Sequence, residues 1–302
     1  MSSTGTPLLA VEGLTRDFVT RRGLFGQPVQ VMRAVDNVAF DIQAGETLGL
    51  VGESGSGKST TGRMVLRLDD PSAGSIRFEG QDITRLGGAG LAAVRRRMQV
   101  VFQDPYSSLN PRMRVGESVG EPLRTHGLVA GKGEQRDRVA ALFTQVGLDP
   151  RFMDRFPHQF SGGQRQRIGI ARAIALGPKL IVADEPITAL DVSIQAQIIN
   201  LFLDLQEQMG MAYLFIAHDL GMVRYLCHRV AVMLRGRIVE MGPTAQVFGD
   251  PRHPYTRALL SAAPIPDPDR ELQRQRIAYE IVPPPPGAVM QEVTQGHWVM
   301  AA

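Results

Sequence analysis

The chain is 302 residues long, 43% of them apolar and 21% charged, with a formal net charge of +3. That is enough apolar material for one large core or two modest ones, and the near-balanced charge argues against a nucleic-acid binder. Cys227 is the sole cysteine, which excludes an internal disulfide framework and a cysteine-held zinc or iron–sulfur site.

The first five residues lack the charged start and apolar run of a signal peptide. Residues 211–217 form the longest clean apolar run, far short of the roughly 20 that a membrane span needs. The expectation is a reduced, cytosolic protein with no membrane-crossing segment.

In chain order, residues 8–11 and 35–42 read as strands. Residues 47–51 are a short apolar run ending in glycine-rich sequence, and 60–67 continue as a helix. Strand, glycine loop, helix is the first half of a βαβ unit. Residues 91–98 read as helical and 99–102 as extended. From 104 to 121 the Pro, Ser, Asn and Gly content predicts an irregular connection. Val139, Leu142, Phe143 and Val146 share one helical face, stopped at Gly147. A helix over 161–176, a buried strand over 180–183, and a helix with Ile198, Leu201, Phe202 and Leu205 on one face follow. The next buried strand is 213–217, and strand–helix–strand implies a parallel sheet. Residues 230–233 and 238–241 flank Arg235-Gly236-Arg237 and read as a hairpin. Beyond Pro251 the prolines (Pro254, Pro264, Pro266, Pro268, then Pro283 to Pro286) predict an extension, ordered at first and loose later.

Gly52-Glu53-Ser54-Gly55-Ser56-Gly57-Lys58-Ser59 fits G-x-x-x-x-G-K-[ST] at every fixed position, after a strand and before a helix. Glycines let backbone N–H groups wrap a polyphosphate, and the helix start adds positive potential. Lys58 can reach the β- and γ-phosphates, and the Ser59 hydroxyl can ligate Mg²⁺. The chain has only two other lysines, Lys132 and Lys179, so a lysine in a motif is seldom accidental. Asp184-Glu185 ends the strand at 180–183, where a carboxylate can serve the metal shell and its neighbour can polarise the attacking water. No Asn-Lys guanine motif occurs, which favours ATP over GTP.

Phe160-Ser161-Gly162-Gly163-Gln164 reads two ways. Ser161 with Gln164 is a capping box, yet two glycines in a first helical turn are costly and suit a ligand approaching the backbone. His218, after the strand at 213–217, can hydrogen-bond a γ-phosphate. Gln103 can reach the metal or the water, and Phe18 can stack on adenine, with core packing as its plain alternative.

Together these motifs resemble the nucleotide-binding subunit of ABC transporters over residues 7–250. Gly52 to Thr60 looks like Walker A and Gln103 like the Q-loop. Phe160, Ser161, Gly162, Gly163 and Gln164 look like the signature, and Leu180 to Glu185, with Asp184 near its end, looks like Walker B. Ala189-Leu190-Asp191 looks like the D-loop and His218 like the switch histidine. The resemblance implies an α/β fold: a P-loop RecA-like core, an antiparallel β subdomain and an inserted α-helical subdomain near 104–172. It implies ATP and Mg²⁺, with Ser59, Gln103 and Asp184 at the metal and Glu185, His218 and Gln103 in catalysis. It also implies a head-to-tail pair, in which Ser161 to Gln164 and Asp191 serve nucleotide held by the partner's loop.

A finer resemblance is to the oligopeptide/dipeptide importer branch. Its carriers are Val101-Phe102-Gln103-Asp104-Pro105, Ser107 to Pro111, His158 to Arg167, and His253-Pro254-Tyr255-Thr256 within a C-terminal extension at 251–302. Ile187-Thr188 departs from the commoner Thr-Ser or Val-Ser, and the branch's C-terminal cysteine cluster is absent. The implied partners are a second nucleotide-binding subunit, two transmembrane permease subunits and an extracytoplasmic solute-binding protein, with no nucleic acid. The implied location is the cytoplasmic face of the membrane. A soluble ABC-type ATPase of DNA repair or translation is the competing reading, although those relatives usually carry two cassettes or long insertions.

Overall fold

The computed structural model describes residues 5–22, 28–104, 108–188, 190–263, 275–280 and 288–301. Pro105, Ser107, Ala189, Pro264, Pro266, Pro268 and Pro283 to Pro286 lie outside them. Strands β1 (Leu9–Arg22), β2 (Pro28–Ile42) and β3 (Thr47–Val51) are followed by helix α1 (Lys58–Val65), β4 (Ala73–Phe78) and β5 (Gln81–Asp82). Next come α2 (Gly88–Arg97), β6 (Met98–Val101), α3 (Val115–Thr125), α4 (Lys132–Gln145), α5 (Gly162–Ile174), β7 (Leu180–Asp184) and α6 (Val192–Met209). The last stretch holds β8 (Ala212–Ala217), α7 (Leu220–Leu226), β9 (Arg229–Leu234), β10 (Arg237–Pro243), α8 (Thr244–Gly249), α9 (Pro254–Ala262), β11 (Met290–Thr294) and β12 (His297–Met300). These elements divide into two compact units: Met1–Arg85 with Leu214–Ala302, and Leu86–Tyr213.

In the first unit, β1 pairs antiparallel with both β2 and β4, giving the order β2-β1-β4-β5. Leu9, Val11 and Leu14 are buried; their period slips by one where the chain bulges beside Gly13, whose φ is +60°. Strand β3 is buried along its whole length and runs parallel to β9. A strand of that kind needs apolar residues on both faces, and Thr-Leu-Gly-Leu-Val meets the need with a glycine at its centre. A Cβ at Gly49 would lie 2.9 Å from the Cys227 sulfur, so the glycine admits α7 and the residue after it. Cys227 itself is buried, and burial pushes its thiol far above the ordinary range, leaving an unreactive core side chain. His228 pins the start of β3: its Nδ1 accepts the Thr47 N–H at 3.0 Å, and its own N–H donates to the Thr47 carbonyl at 3.0 Å.

The β9–β10 hairpin forms as the spacing predicts, with one bulge between Ile238 and Glu240. The bulge turns Glu240 inward, where it is completely buried. Its carboxylate accepts the N–H of Arg252 at 2.8 Å and of His253 at 2.9 Å, and contacts His297 Nε2 at 2.8 Å. Those contacts fasten the start of α9 and the end of the chain to β10. The expectation of a loose chain end is corrected here. Residues 290–300 form the hairpin β11–β12, which adds to β10 through Glu240↔Val299 and Met241↔Trp298. Gly296, at φ +73°, makes the turn, and His297 is drawn inward by Glu240.

In the second unit, β6 and β7 are parallel, with Met98 opposite Leu180. Helices α3, α4 and α5 pack around Val115, Val119, Leu123, Val139, Phe143 and Ile168, all buried. The irregular connection expected over 104–121 is also corrected, since α3 begins at Val115. Val115, Val119 and Leu123 follow an i, i+4, i+8 spacing, but Gly116, Gly120 and Pro122 disguise it. The two glycines allow close packing. A Cβ at Gly116 would lie 2.9 Å from the Met153 carbonyl, and one at Gly120 2.3 Å from the Gln135 side-chain nitrogen.

Glu240→Ala would strip the buried His253 N–H, the part-buried Arg252 N–H and His297 of their acceptor. The expected cost is about 3–5 kcal/mol, read from denaturant unfolding; a loss below about 1 kcal/mol would contradict this account of α9.

Candidate active site

The glycine loop emerges from β3 into α1, as expected. Three of its glycines adopt positive φ: Gly52 at +148°, Gly55 at +79° and Gly57 at +104°. Their reasons differ. A Cβ at Gly52 would sit 2.1 Å from the Met233 carbonyl oxygen, and one at Gly57 2.4 Å from that of Ala34. Both are held by backbone pressing in from β9 and β2. Gly55 has open space beside it, so its glycine serves conformation and access alone.

Lys58 is nearly buried, and its Nζ donates to the carbonyls of Gly52 at 2.7 Å and Glu53 at 2.8 Å. The ammonium thus lies under the loop. Glu53, Ser54, Gly55 and Ser59 are exposed along the rim, while Ser56 is buried. Positive-φ glycines, an open rim, a lysine beneath and a helix start together fit a polyphosphate. The Ser59 hydroxyl and the Asp184 carboxylate are hard oxygen donors of the type Mg²⁺ takes.

Strand β7 is buried from Leu180 to Ala183 and ends at half-buried Asp184. Glu185 follows with φ +48°, a left-handed conformation that a side chain seldom adopts. The turn aims its carboxylate toward Gln103, which leaves β6 at a position 82 residues earlier. Gln103 Nε2 donates to Glu185 Oε2 at 3.0 Å. Thr188 Oγ1 lies 3.3 Å from the same oxygen. Gln103 and Glu185, picked separately from the sequence, are therefore brought together; Thr188, read there only as a departure from the family pattern, joins them.

The capping box of α5 is complete. Ser161 Oγ accepts the Gln164 N–H at 3.3 Å, and Gln164 Oε1 accepts the Ser161 N–H at 3.0 Å. Ser161 is exposed and Gly163 buried. A Cβ at Gly163 would meet the Ile194 Cγ2 at 2.5 Å, and one at Gly162 the Leu190 Cδ2 at 3.2 Å. Packing against α6 therefore requires Gly163, besides any ligand. Asp191 is exposed and precedes α6 without capping it through its side chain. His218 is exposed at the end of β8, and Asp219 caps α7 by accepting the Gly221 N–H at 2.8 Å. The Phe18 ring is half-buried, with the Arg16 guanidinium 4.7 Å from its centroid.

An ABC transporter family model matches residues 35–188, half of the sequence. The chain belongs to the ABC transporter family. A second family model, oligopeptide/dipeptide transporter C-terminal region, matches residues 239–285, in line with the finer resemblance. The glutathione import ATP-binding protein GsiA of Salmonella choleraesuis is 52% identical over 303 residues, covering 98% of this chain and 48% of that protein. Its counterpart from Escherichia coli is 54% identical over 279 residues, covering 92% and 45%. The cassette thus spans about half the length of the curated relatives it matches. Among solved structures, the dimeric post-hydrolysis state of the ATP-binding cassette MJ0796, bound to ADP and Pi, has a TM-score of 0.69 and 30% identity. It covers 78% of this chain and 98% of that one. CbiO1 from Clostridium perfringens, part of the ABC transporter complex cbiONQ, has a TM-score of 0.68 and 27% identity, covering 81% and 91%. The fold is that of the ABC ATPase cassettes, whose cofactors are ATP and Mg²⁺.

Gly163→Ala is expected to cost roughly 1–3 kcal/mol by overpacking. Adding Ile194→Ala should recover part of that loss in thermal unfolding; no recovery would show that Gly163 is not a packing requirement.

Proposed function

We propose that this cassette is the ATP-hydrolysing subunit of an importer, energising uptake of a peptide or similar small solute through a separate permease. The observation that carries the catalytic half of this reading is the hydrogen bond between Gln103 and Glu185. Two side chains far apart in sequence converge at the ends of β6 and β7. A carboxylate fixed by the Gln103 amide and the Thr188 hydroxyl keeps its aim, which polarising a water requires.

Phosphoryl transfer asks the protein mainly for positioning and charge stabilisation. In this reading the loop from Gly52 to Thr60 binds the phosphates and Lys58 balances their charge. Ser59, Gln103 and Asp184 would hold Mg²⁺, which would supply further neutralisation of the phosphate charge. Glu185 orients the water, His218 contacts the γ-phosphate and Phe18 stacks on adenine. Ser161, Gly162, Gly163, Gln164 and Asp191 serve nucleotide bound by a second cassette, identical or paralogous. Closure of that pair would move two permease subunits at the cytoplasmic face of the membrane, with an extracytoplasmic protein delivering solute. Among the described residues no helix is long and apolar enough to cross a membrane, consistent with a peripheral subunit. The glutathione-import names of the relatives support a small peptide-like solute.

Glu185→Gln should lower the turnover number at least about 100-fold while ATP affinity changes less than about threefold; normal turnover would remove Glu185 from this role. Affinity purification from native membranes should recover a permease and a solute-binding protein. ATPase activity stimulated by nucleic acid, with no permease recovered, would favour the repair or translation reading instead.

A further inference from the structure

The phosphate loop has a contact that the proposed chemistry does not use. The Glu53 N–H donates to the hydroxyl of Tyr255 at 3.1 Å, across 202 residues of sequence. Tyr255 is 2% exposed and lies in the first turn of α9, within the C-terminal extension. We infer that Tyr255 is a positioning residue for the phosphate loop, through which the extension sets the cassette's affinity for nucleotide. The inference rests on reading the loop as a nucleotide site.

The loop needs such a hold. Its first residue, Gly52, has a backbone conformation that few side chains allow, and Gly55 has open space around it. A segment of this kind samples many conformations unless its peptides are tied down. One hairpin ties both of its first two residues. From β9, the Met233 carbonyl presses on Gly52. From β10, Glu240 holds the N–H groups of Arg252 and His253 at the start of α9. His253 then caps that helix, its Nδ1 accepting the Tyr255 N–H at 3.1 Å. Tyr255 is therefore rigid at its base, and a phenol has only two side-chain torsions to order. Its hydroxyl fixes the orientation of the peptide joining Gly52 to Glu53. The carbonyl of that peptide belongs to Gly52 and accepts from Lys58 at 2.7 Å. The contact thus reaches the loop's ammonium through a single peptide plane.

Tyr255→Phe removes the hydroxyl and keeps the ring. In the full chain it should weaken Mg·ATP binding about two- to tenfold, or raise KM for ATP by the same factor with kcat within about twofold. The unfolding temperature without nucleotide should stay within a few degrees. Tyr279→Phe removes a hydroxyl from the same aromatic cluster, 5.5 Å away between ring centroids, and should leave ATP affinity unchanged. Unaltered affinity in Tyr255→Phe, or an equal loss in Tyr279→Phe, would overturn the inference. Amide hydrogen exchange in the unaltered protein gives a second measurement that needs no variant: Glu53 should exchange more slowly than Ser54, and equal or faster exchange would overturn it. Absence of ATP binding by the unaltered chain would instead overturn the nucleotide reading and this inference together.

Discussion

Backbone approach at the end of β3 governs the site. The chain leaves a fully buried strand, turns through Gly52 under the Met233 carbonyl, and re-enters a helix through Gly57 against the Ala34 carbonyl. Neither contact leaves room for a Cβ. Lys58 is drawn beneath the turn by two loop carbonyls, so its charge is fixed before it meets a ligand. A cradle shaped in this way presents its donors without reorganising, and that preorganisation makes fixed dipoles effective on phosphate. The conformational cost of the loop is offset by the packing of β2, β9 and α9.

The second unit solves a related problem with side chains. Glu185 stands in a left-handed turn after β7, strained by ordinary standards. Its carboxylate is held by Gln103 and approached by Thr188. At the start of α5, the capping box satisfies the helix end while Gly163 lets α6 come close. One glycine therefore meets a packing demand at a place where a ligand demand is also proposed. The buried Glu240 plays a comparable structural part in the first unit, since its carboxylate joins β10, α9 and the chain's final hairpin.

Much of this was legible in the sequence because its signals are local. The apolar run of β3 followed by a glycine loop, the faces of α4 and α6, and the β9–β10 hairpin each announce themselves within about twenty residues. Helix α3 was hidden because Gly116, Gly120 and Pro122 are punctuation in a local reading, whereas Met153 and Gln135, the neighbours that explain the glycines, are distant in sequence. The final hairpin is obscured by the proline-rich stretch before it, and the contact that holds His297 comes from Glu240, turned inward by a bulge. For the candidate site, motif order points to Gln103 and Glu185. It does not point to Thr188 or Tyr255, which stand out through a contact rather than a pattern. The His253-Pro254-Tyr255-Thr256 run was a conspicuous signal, but nothing adjacent to it pointed to the loop some 200 residues earlier.

In the proposed function, the preformed loop around Lys58 binds the nucleotide. Calorimetric titration of Mg·ATP into the intact chain and into Lys58→Ala tests it most directly. The expected result is one nucleotide per unaltered chain and binding at least about 100-fold weaker in the variant, for loss of a buried cation facing phosphate. Equal affinity in the two proteins, with the variant folded, would contradict it.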